Sequence, residues 1–524
     1  MLCVTIGRTR HKYMIAEYQH LSEIGADLVE MRLDYIGRAI DLRRLLAERR
    51  APILVTCRRR EDGGRWDKSE QERLMILRSV IASGVDYVDL EEDIAASIPR
   101  YGKTKRIVSL HNFEETPSNL EEIHARLAAL DADVVKIATM ANSFADSIRM
   151  LRLLKQVKVP TIALCMGELG AVTRIMGLSY GSPFTYTALS NDRKIAPGQI
   201  TFDMMKKVYR AKEIDTDTKI YGVVADPVAH SLSPLIHNAA FAHDKVNCRY
   251  LPFRIPPDEL QLFVKWCQEA GIGGLSVTIP HKETMLELLD EAESAATGIR
   301  AVNTAIFNGE LISGYNTDYR AAMDCINAAL DKQNIPGDDR LRGRGVLVLG
   351  AGGVSRAIAY GLRQKGALVV ISSRSLARSE SLAADLNCRA LPWEARYDIK
   401  PGIIINGTPV GMHPNVDDTP YAKDKLAALM KMSGSVIVFD TVYNPEQTLL
   451  VKDATNLGCL VVSGVDMFVR QAAYQYKLFT GRTPPIDLMR KTLRDATSPV
   501  KYRDEDEEEN DNGGNAETNT DGDD

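Results

Sequence analysis

The chain has 524 residues, 45% of them hydrophobic, and a net charge of -5; this is too long for one ordinary core and predicts several domains. No apolar run approaches the ~20 residues that a membrane-spanning helix needs, so no membrane partner is expected. Residues 501–524 hold eleven Asp or Glu against Lys501 and Arg503, a net of -9, which leaves the rest of the chain near +4. That tail is expected to be a disordered, solvated segment, and the absence of a basic stripe elsewhere gives nucleic-acid binding no support. Eight scattered cysteines without a Cys-x-x-Cys pair suit reduced thiols, and no metal site is expected. With no signal-peptide pattern at the start, the expected location is cytoplasmic.

In chain order, the first ~210 residues repeat short β-branched runs: "LCVTIG", "ADLVEMRL", "PILVTCR", "DYVDLE", "RIVSLH", "DVVKIA", "TIALCM" and "FTYTAL". Stretches with helical spacing lie between them. Eight βα units, each strand followed by a helix, predict a closed parallel (β/α)8 barrel. An open doubly wound sheet is the weaker alternative, because no glycine-rich loop follows any of these strands. Glu30, Arg32, Arg58, His111, Lys136 and Met166 fall near the carboxyl ends of their strands, where a barrel carries its chemistry.

A charged linker, "RAKEIDTDTK" (210–219), precedes a second α/β pattern from 219 to about 330. Another boundary lies near 333–344, and a nucleotide-binding unit follows, bounded at 335–464. The closing helices, 465–495, are expected to return to the second unit. The barrel itself is placed at 1–212.

Lys136 interrupts the apolar run "ADVVKIAT". A buried charged amine is costly unless paired, so burial favours the neutral, nucleophilic form. Such an amine condenses with a ketone to an iminium, which acidifies the neighbouring C–H. A histidine such as His111 is suited to removing that proton near neutrality. The other reading of Lys136 is a partner for a buried carboxylate such as Glu30.

"VEMRLD", "SLHNF", "VVKIA" and "APGQ" together resemble the type I 3-dehydroquinate dehydratases, Schiff-base lyases on a (β/α)8 barrel, over about residues 1–210. The resemblance implies Lys136 as the imine-forming lysine and His111 as the acid/base. It implies Glu30, Arg32, Arg58, Met166, Arg174 and Gln199 as substrate contacts, with Arg174 on a carboxylate. It also implies that Asp62, or Glu61 after a shift, orients His111. Ile195 stands where the family often has a serine.

In the second half, "GVLVLGAGGVSRAIAYGL" reads as strand, turn and helix. The turn Gly350-Ala351-Gly352-Gly353 would lie against a pyrophosphate, with Ser355 in place of a third glycine. The next strand ends in Ser373, Arg374 and Ser375, with Arg378 one turn on, where an NAD site would place an acid. Two guanidiniums and two hydroxyls suit a 2′-phosphate, so NADP is the expected cofactor. Ser231, Ser233, Thr278, Lys282, Asn303, Asn316 and Asp318 suit a polyhydroxylated substrate, and Lys282 with Asp318 could exchange the proton that accompanies hydride transfer.

These motifs resemble shikimate dehydrogenases over roughly 219–490. The resemblance implies that Ser231 and Ser233 hold the carboxylate and that Lys282 and Asp318 are catalytic. It adds Thr278, Asn303, Tyr443 and Gln471 as substrate contacts and Thr408 beside the cofactor. Ser276 and Tyr319 depart from the common pattern and are expected to tune the pocket.

Jointly, the resemblances imply one chain that dehydrates 3-dehydroquinate to 3-dehydroshikimate and then reduces it to shikimate with NADPH. Two alternatives stay open: quinate specificity in the second half, and a non-catalytic quinate-pathway sensor.

Overall fold

The structure, a computed structural model, describes residues 1–333, 337 and 339–498; the acidic tail lies outside them. Eight parallel strands build the first sheet: β1 (Leu2–Ile6), β2 (Leu28–Arg32), β3 (Ile53–Thr56), β4 (Tyr87–Glu91), β5 (Lys105–Asn112), β6 (Val134–Met140), β7 (Thr161–Met166) and β8 (Thr185–Ala188). They pair in the order β7-β6-β5-β4-β3-β2-β1-β8. The eight predicted runs are these eight strands. The ladder is nearly closed, with β7 and β8 as its two ends, and forms the expected parallel eight-stranded barrel. Ile162, Leu164, Phe184 and Tyr186 from the two end strands pack in one interior cluster.

Alternation of side chains sorts each strand. Cys3, Leu28, Leu54, Ile107, Val134, Ile162 and Phe184 fill the barrel interior. Val4, Val29, Ile53, Val55, Val135 and Ile137 face the surrounding helices instead. The expected helix after every strand is not uniform. β2 is followed by a 3-10 turn (Leu33–Tyr35) and then only a short α-helix (Leu42–Leu45), and after β8 come a 3-10 turn (Asn191–Arg193), a π-helical turn (Met204–Val208) and a second 3-10 turn (Ala211–Glu213). The buried Arg249 guanidinium donates to the carbonyls of Tyr209 (2.6 Å) and Arg210 (3.2 Å). It thereby bonds the Tyr209 carbonyl and shares that of Arg210 with the Glu213 N–H (2.9 Å).

The second sheet is mixed: β9 (Lys219–Ala225), β10 (Cys248–Arg254), β11 (Gly274–Val277), β12 (Glu291–Ala292), β13 (Thr304–Asn308) and β14 (Leu311–Tyr315), ordered β10-β9-β11-β13-β14-β12. The helix Ser233–His243 packs on it together with the closing helices Gly464–Thr480 and Ile486–Thr497, through Ile236, Phe241, Tyr476 and Leu493. The third sheet is β15 (Gly345–Leu349), β16 (Leu368–Ser373), β17 (Arg389–Pro392), β18 (Ile403–Asn406), β19 (Ile437–Asp440) and β20 (Leu460–Val462). All its pairings are parallel, in the order β17-β16-β15-β18-β19-β20. This doubly wound order reverses between β15 and β18, the switch point at which such sheets bind dinucleotides.

The barrel and the second unit share apolar packing. Phe144, at the start of the helix Phe144–Gln156, stacks edge-on against Phe253, Phe263 and Trp266. The Glu259 carboxylate accepts the Phe144 N–H at 2.8 Å, a favourable place for an anion at a helix N-terminus.

Candidate active sites

Strand alternation delivers the first site. Lys136 follows Val134 by two residues and so points into the barrel, as do Glu30, Arg58 and His111 on their own strands. Their common cavity also contains Met166 and Arg174. The Lys136 Nζ is 2.9 Å from Asp89 Oδ2 and the Arg58 guanidinium 2.7 Å from Asp89 Oδ1. Burial pushes the Asp89 carboxyl up, but Arg58 and Lys136 override it and hold the group well below the carboxylate range. Glu91, behind Asp89, pairs with Arg58 at 3.3 Å and Arg73 at 2.8 Å. Glu30 does not meet Lys136 in this network; Thr5 and Thr56 donate to it at 2.7 and 2.6 Å.

Arg58 also lies 3.1 Å from His111 Nδ1. A guanidinium can only donate, so this nitrogen accepts and the neutral ring carries its proton on Nε2. Burial, then the positive charges of Arg58 and Lys136, lower the His111 pKa well below its ordinary value. Phe113 stacks on the ring with centroids 6.3 Å apart. A Cβ on Gly63 would meet Phe113 at 2.2 Å, so glycine there lets the β3 loop close on it.

Asp62 reaches the cavity wall, but its carboxylate pairs with Arg59 at 2.7 Å, and Glu61 pairs with the same arginine at 3.0 Å. Neither contacts His111; Arg59 sits between them and captures both. Arg32 is bound bidentately by Asp34. Gln199 accepts the N–H groups of Ile195 (2.7 Å) and Ala196 (3.2 Å) and so folds its own loop over the cavity. Arg174 differs from the other arginines: it is 2% exposed, its Nε has no partner, and its guanidinium donates only to the Pro197 carbonyl at 3.2 Å. Burial pushes its pKa down to about 10, as befits a buried cation without an anion.

The second site is a cleft between the second and third sheets. Lys282 donates to Asp318 at 2.5 Å, and Asp318 stands in the first turn of the helix Thr317–Lys332, capped by Asn316. Ser231, Ser233, Thr278, Tyr443 and Gln471 all line this cleft. Asn303 lines the cleft too, but its amide is largely committed to Thr317, accepting its N–H at 2.7 Å and donating to its hydroxyl at 2.9 Å. Ser276 accepts the Tyr250 hydroxyl at 2.5 Å and donates to Gln475 at 2.8 Å. Tyr319, expected to tune the pocket, packs away from it against Tyr360, where Gly361 leaves room for its ring.

The glycine turn adjoins this cleft. Val354 lines it, and a Cβ on Gly353 would lie 3.4 Å from Lys282 Cδ. Gly350 has φ +110°, which only glycine adopts without strain. Ser355 is fully buried, and the place of the missing third glycine is taken by Gly407 on the facing loop, where a Cβ would lie 2.1 Å from Ser355 Oγ. Arg374 and Arg378 are exposed at the start of the helix Leu376–Asp385. Ser375 caps that helix, whereas the Ser373 hydroxyl is turned inward to Ser375 O and Ser379. Thr408 donates through both its N–H and its hydroxyl to Asn406, whose amide in turn donates to Asp440 at 2.9 Å.

Sequence reasoning missed Asp89, Glu91, Gly407, Asn406 and Asp440. Asp89 and Glu91 share the inward parity of Tyr87 in "DYVDLE", a signal present in the sequence. Among the described residues, no group of three or more His, Cys, Asp or Glu could hold a metal ion, and no helix is long and apolar enough to cross a membrane.

A barrel holding a lysine, a histidine and an unpaired arginine, joined to a glycine-turn nucleotide fold with a Lys–Asp pair, defines a two-site enzyme: a lyase and an oxidoreductase in one chain. Residues 2–216 match the type I 3-dehydroquinase family, residues 223–305 the shikimate dehydrogenase substrate binding domain, and residues 464–494 the shikimate 5′-dehydrogenase C-terminal domain. A bifunctional 3-dehydroquinate dehydratase/shikimate dehydrogenase of Arabidopsis thaliana, described as chloroplastic, is 37% identical over 93% of this chain and 83% of its own. An NADP(+) shikimate dehydrogenase of Methanothermobacter thermautotrophicus is 37% identical over 53% of this chain and 96% of its own. A solved shikimate dehydrogenase in complex with NADP+ covers 54% of this chain and 97% of its own, at 31% identity and a TM-score of 0.49. The chain belongs to the family of bifunctional 3-dehydroquinate dehydratase/shikimate dehydrogenases.

Proposed function

We propose that the barrel dehydrates 3-dehydroquinate to 3-dehydroshikimate through an imine on Lys136, and that the second cleft reduces the product to shikimate with NADPH. The observation that carries the first half is the cavity shared by Lys136, His111 and Arg174, a buried guanidinium that lacks an anion. A substrate carboxylate on Arg174 would supply one bidentately. The Lys136 nitrogen then attacks the ketone carbon, water leaves, and the iminium draws electrons from the adjacent C–H. His111 takes that proton on Nδ1, which the free protein shares with Arg58, so substrate binding draws Arg58 aside. The returned proton leaves with the eliminated hydroxyl as water, and a second water then adds to the iminium carbon, breaking the Nζ–C bond to release 3-dehydroshikimate and restore Lys136.

In the second cleft, NADP fits the turn Gly350 to Gly353. Its 2′-phosphate fits Arg374 and Arg378, which carry no ion pair among the described residues, with the Ser375 hydroxyl beside them. When bound in its reduced form, the cofactor supplies a hydride. Lys282 gives the proton to the ketone oxygen, Asp318 holds Lys282 in place, and Ser231 and Ser233 hold the carboxylate. Thr278, Tyr443 and Gln471 bracket the ring; Asn303 and Thr408 shape the walls. Residues 1–212 form the dehydratase unit, 219–330 with 465–495 the substrate unit, and 335–464 the nucleotide unit. All eight cysteines are free, which supports a reducing compartment, cytoplasmic or plastidic alike.

Incubating the protein with 3-dehydroquinate, adding borohydride and mapping the peptides by mass spectrometry tests the imine. The adduct should sit on Lys136; an adduct elsewhere, or none in an active protein, would sink the assignment.

A further inference from the structure

Tyr186 is a buried side chain of the barrel cavity whose chemistry the mechanism above leaves unused. It follows Phe184 by two residues on β8 and therefore points inward beside Leu164, at the seam where the ladder ends. It is 4% exposed, and its phenolic oxygen has no hydrogen-bond partner. The Lys136 Nζ lies 4.2 Å from the centre of its ring. Burial first, then the nearby Glu30 carboxylate, push the phenol well above its ordinary pKa, so it persists as an O–H donor.

An unpartnered buried hydroxyl costs stability and persists where something else supplies the partner. The barrel cavity, which Tyr186 lines together with Lys136, is where that partner would arrive. Ile195 lines the same cavity without a polar side-chain atom. Imine formation also changes what Lys136 can bond to. The ammonium has three N–H groups and is anchored to Asp89, whereas the iminium has one, with the same positive charge. An aromatic face attracts a cation whatever its number of N–H groups.

We propose that Tyr186 is a further catalytic residue of the dehydratase: its ring face holds the positive charge on the Lys136 nitrogen from ammonium through iminium, and its O–H donates to an oxygen of the substrate bound beside that nitrogen. This rests on the imine reading above. The step it assists is the same condensation: the Nζ–C bond forms, the C–O bond breaks, and the oxygen leaves as water with no change in oxidation state.

The test uses the full chain with Tyr186→Phe and Tyr186→Leu. Far-UV circular dichroism and the thermal melting of the full chain, compared with the unaltered enzyme, report that the barrel of each variant is folded, and reduction of 3-dehydroshikimate by NADPH reports the other half. Tyr186→Phe keeps the ring and loses the donor, and dehydratase kcat/KM should fall about tenfold, with adduct on Lys136 still trapped by borohydride at saturating substrate. Tyr186→Leu loses the face as well, and the rate of adduct trapping should fall roughly thirtyfold. Tyr186→Phe with kcat and KM within about twofold of the unaltered enzyme, or Tyr186→Leu with an unaltered trapping rate, would overturn the proposal. If Tyr186→Leu loses both activities, Tyr186→Phe alone decides. An unaltered enzyme that yields no Lys136 adduct refutes the imine reading instead, so the two failures are distinguishable.

Discussion

A lysine inside an apolar strand needs a counter-ion or a neutral state, and Lys136 has the first: Asp89, itself shared with Arg58. The position and direction of Lys136 were legible in "ADVVKIAT", because its parity with Val134 is a property of the strand alone. Its partner was not. Asp89 lies on β4 opposite Ile107 of β5, and it reaches over to Lys136 of β6, which stands opposite Ser109 of β5, a relation set by strand order and register. The reading that paired Lys136 with Glu30 chose the right kind of group on the wrong strand, since two threonine hydroxyls already satisfy Glu30. For His111, burial and then the charges of Arg58 and Lys136 disfavour the protonated ring, so its folded pKa lies well below the ordinary value of 6.5. The unfolded ring takes a proton as pH falls through 6.5 while the folded ring does not, so this site costs stability below that pH. The base is accordingly ready throughout the neutral range. Dehydratase kcat/KM, followed by the absorbance of the enone product, should lose no activity to His111 protonation between pH 8 and 6.5. An acid-limb midpoint at 6.5 or above that His111→Ala removes would contradict it.

At the scale of elements, the nucleotide turn was legible as strand, turn and helix, and its apparent flaw, Ser355, was resolved only by the facing loop. Helix and sheet approach closely at that point, and one side must lack a side chain. Here Gly407 lacks it, 52 residues further along the chain, and the sequence gives no hint of this because the pairing of β15 with β18 brings the two together. Gly407→Ala would place a Cβ 2.1 Å from Ser355 Oγ and 3.3 Å from the Leu349 carbonyl. Such overpacking costs ~1–3 kcal/mol. The expected outcome is a KM for NADPH raised about tenfold with dehydratase turnover unchanged. Ser355→Gly in the same chain should recover most of the loss, as coupled neighbours do in a double-mutant cycle. Gly407→Ala with an ordinary KM for NADPH would show that the contact does not matter. The barrel's departures were less legible. The turns past β8 are met by Arg249, which belongs to the next unit and donates to the carbonyls of Tyr209 and Arg210.

At the scale of the whole molecule, eight β-branched runs at regular spacing predicted the barrel, and the sheet order of the last unit is that of a dinucleotide-binding fold. What the chain order could not show is how the units join. Phe144 of the barrel lies against Phe253, Phe263 and Trp266 of the second sheet's unit, so the two pack as one apolar body rather than as beads on a linker. The central claim is that two different sites perform consecutive reactions, the first through Lys136 alone. The most direct measurement supplies the full chain with 3-dehydroquinate and NADPH and follows NADPH consumption and shikimate formation, for the unaltered enzyme and for Lys136→Ala. The expected result is one shikimate per NADPH consumed in the unaltered enzyme, none from 3-dehydroquinate in Lys136→Ala, and full recovery in that variant when 3-dehydroshikimate is supplied instead. Shikimate formed from 3-dehydroquinate by Lys136→Ala at an undiminished rate would contradict the account.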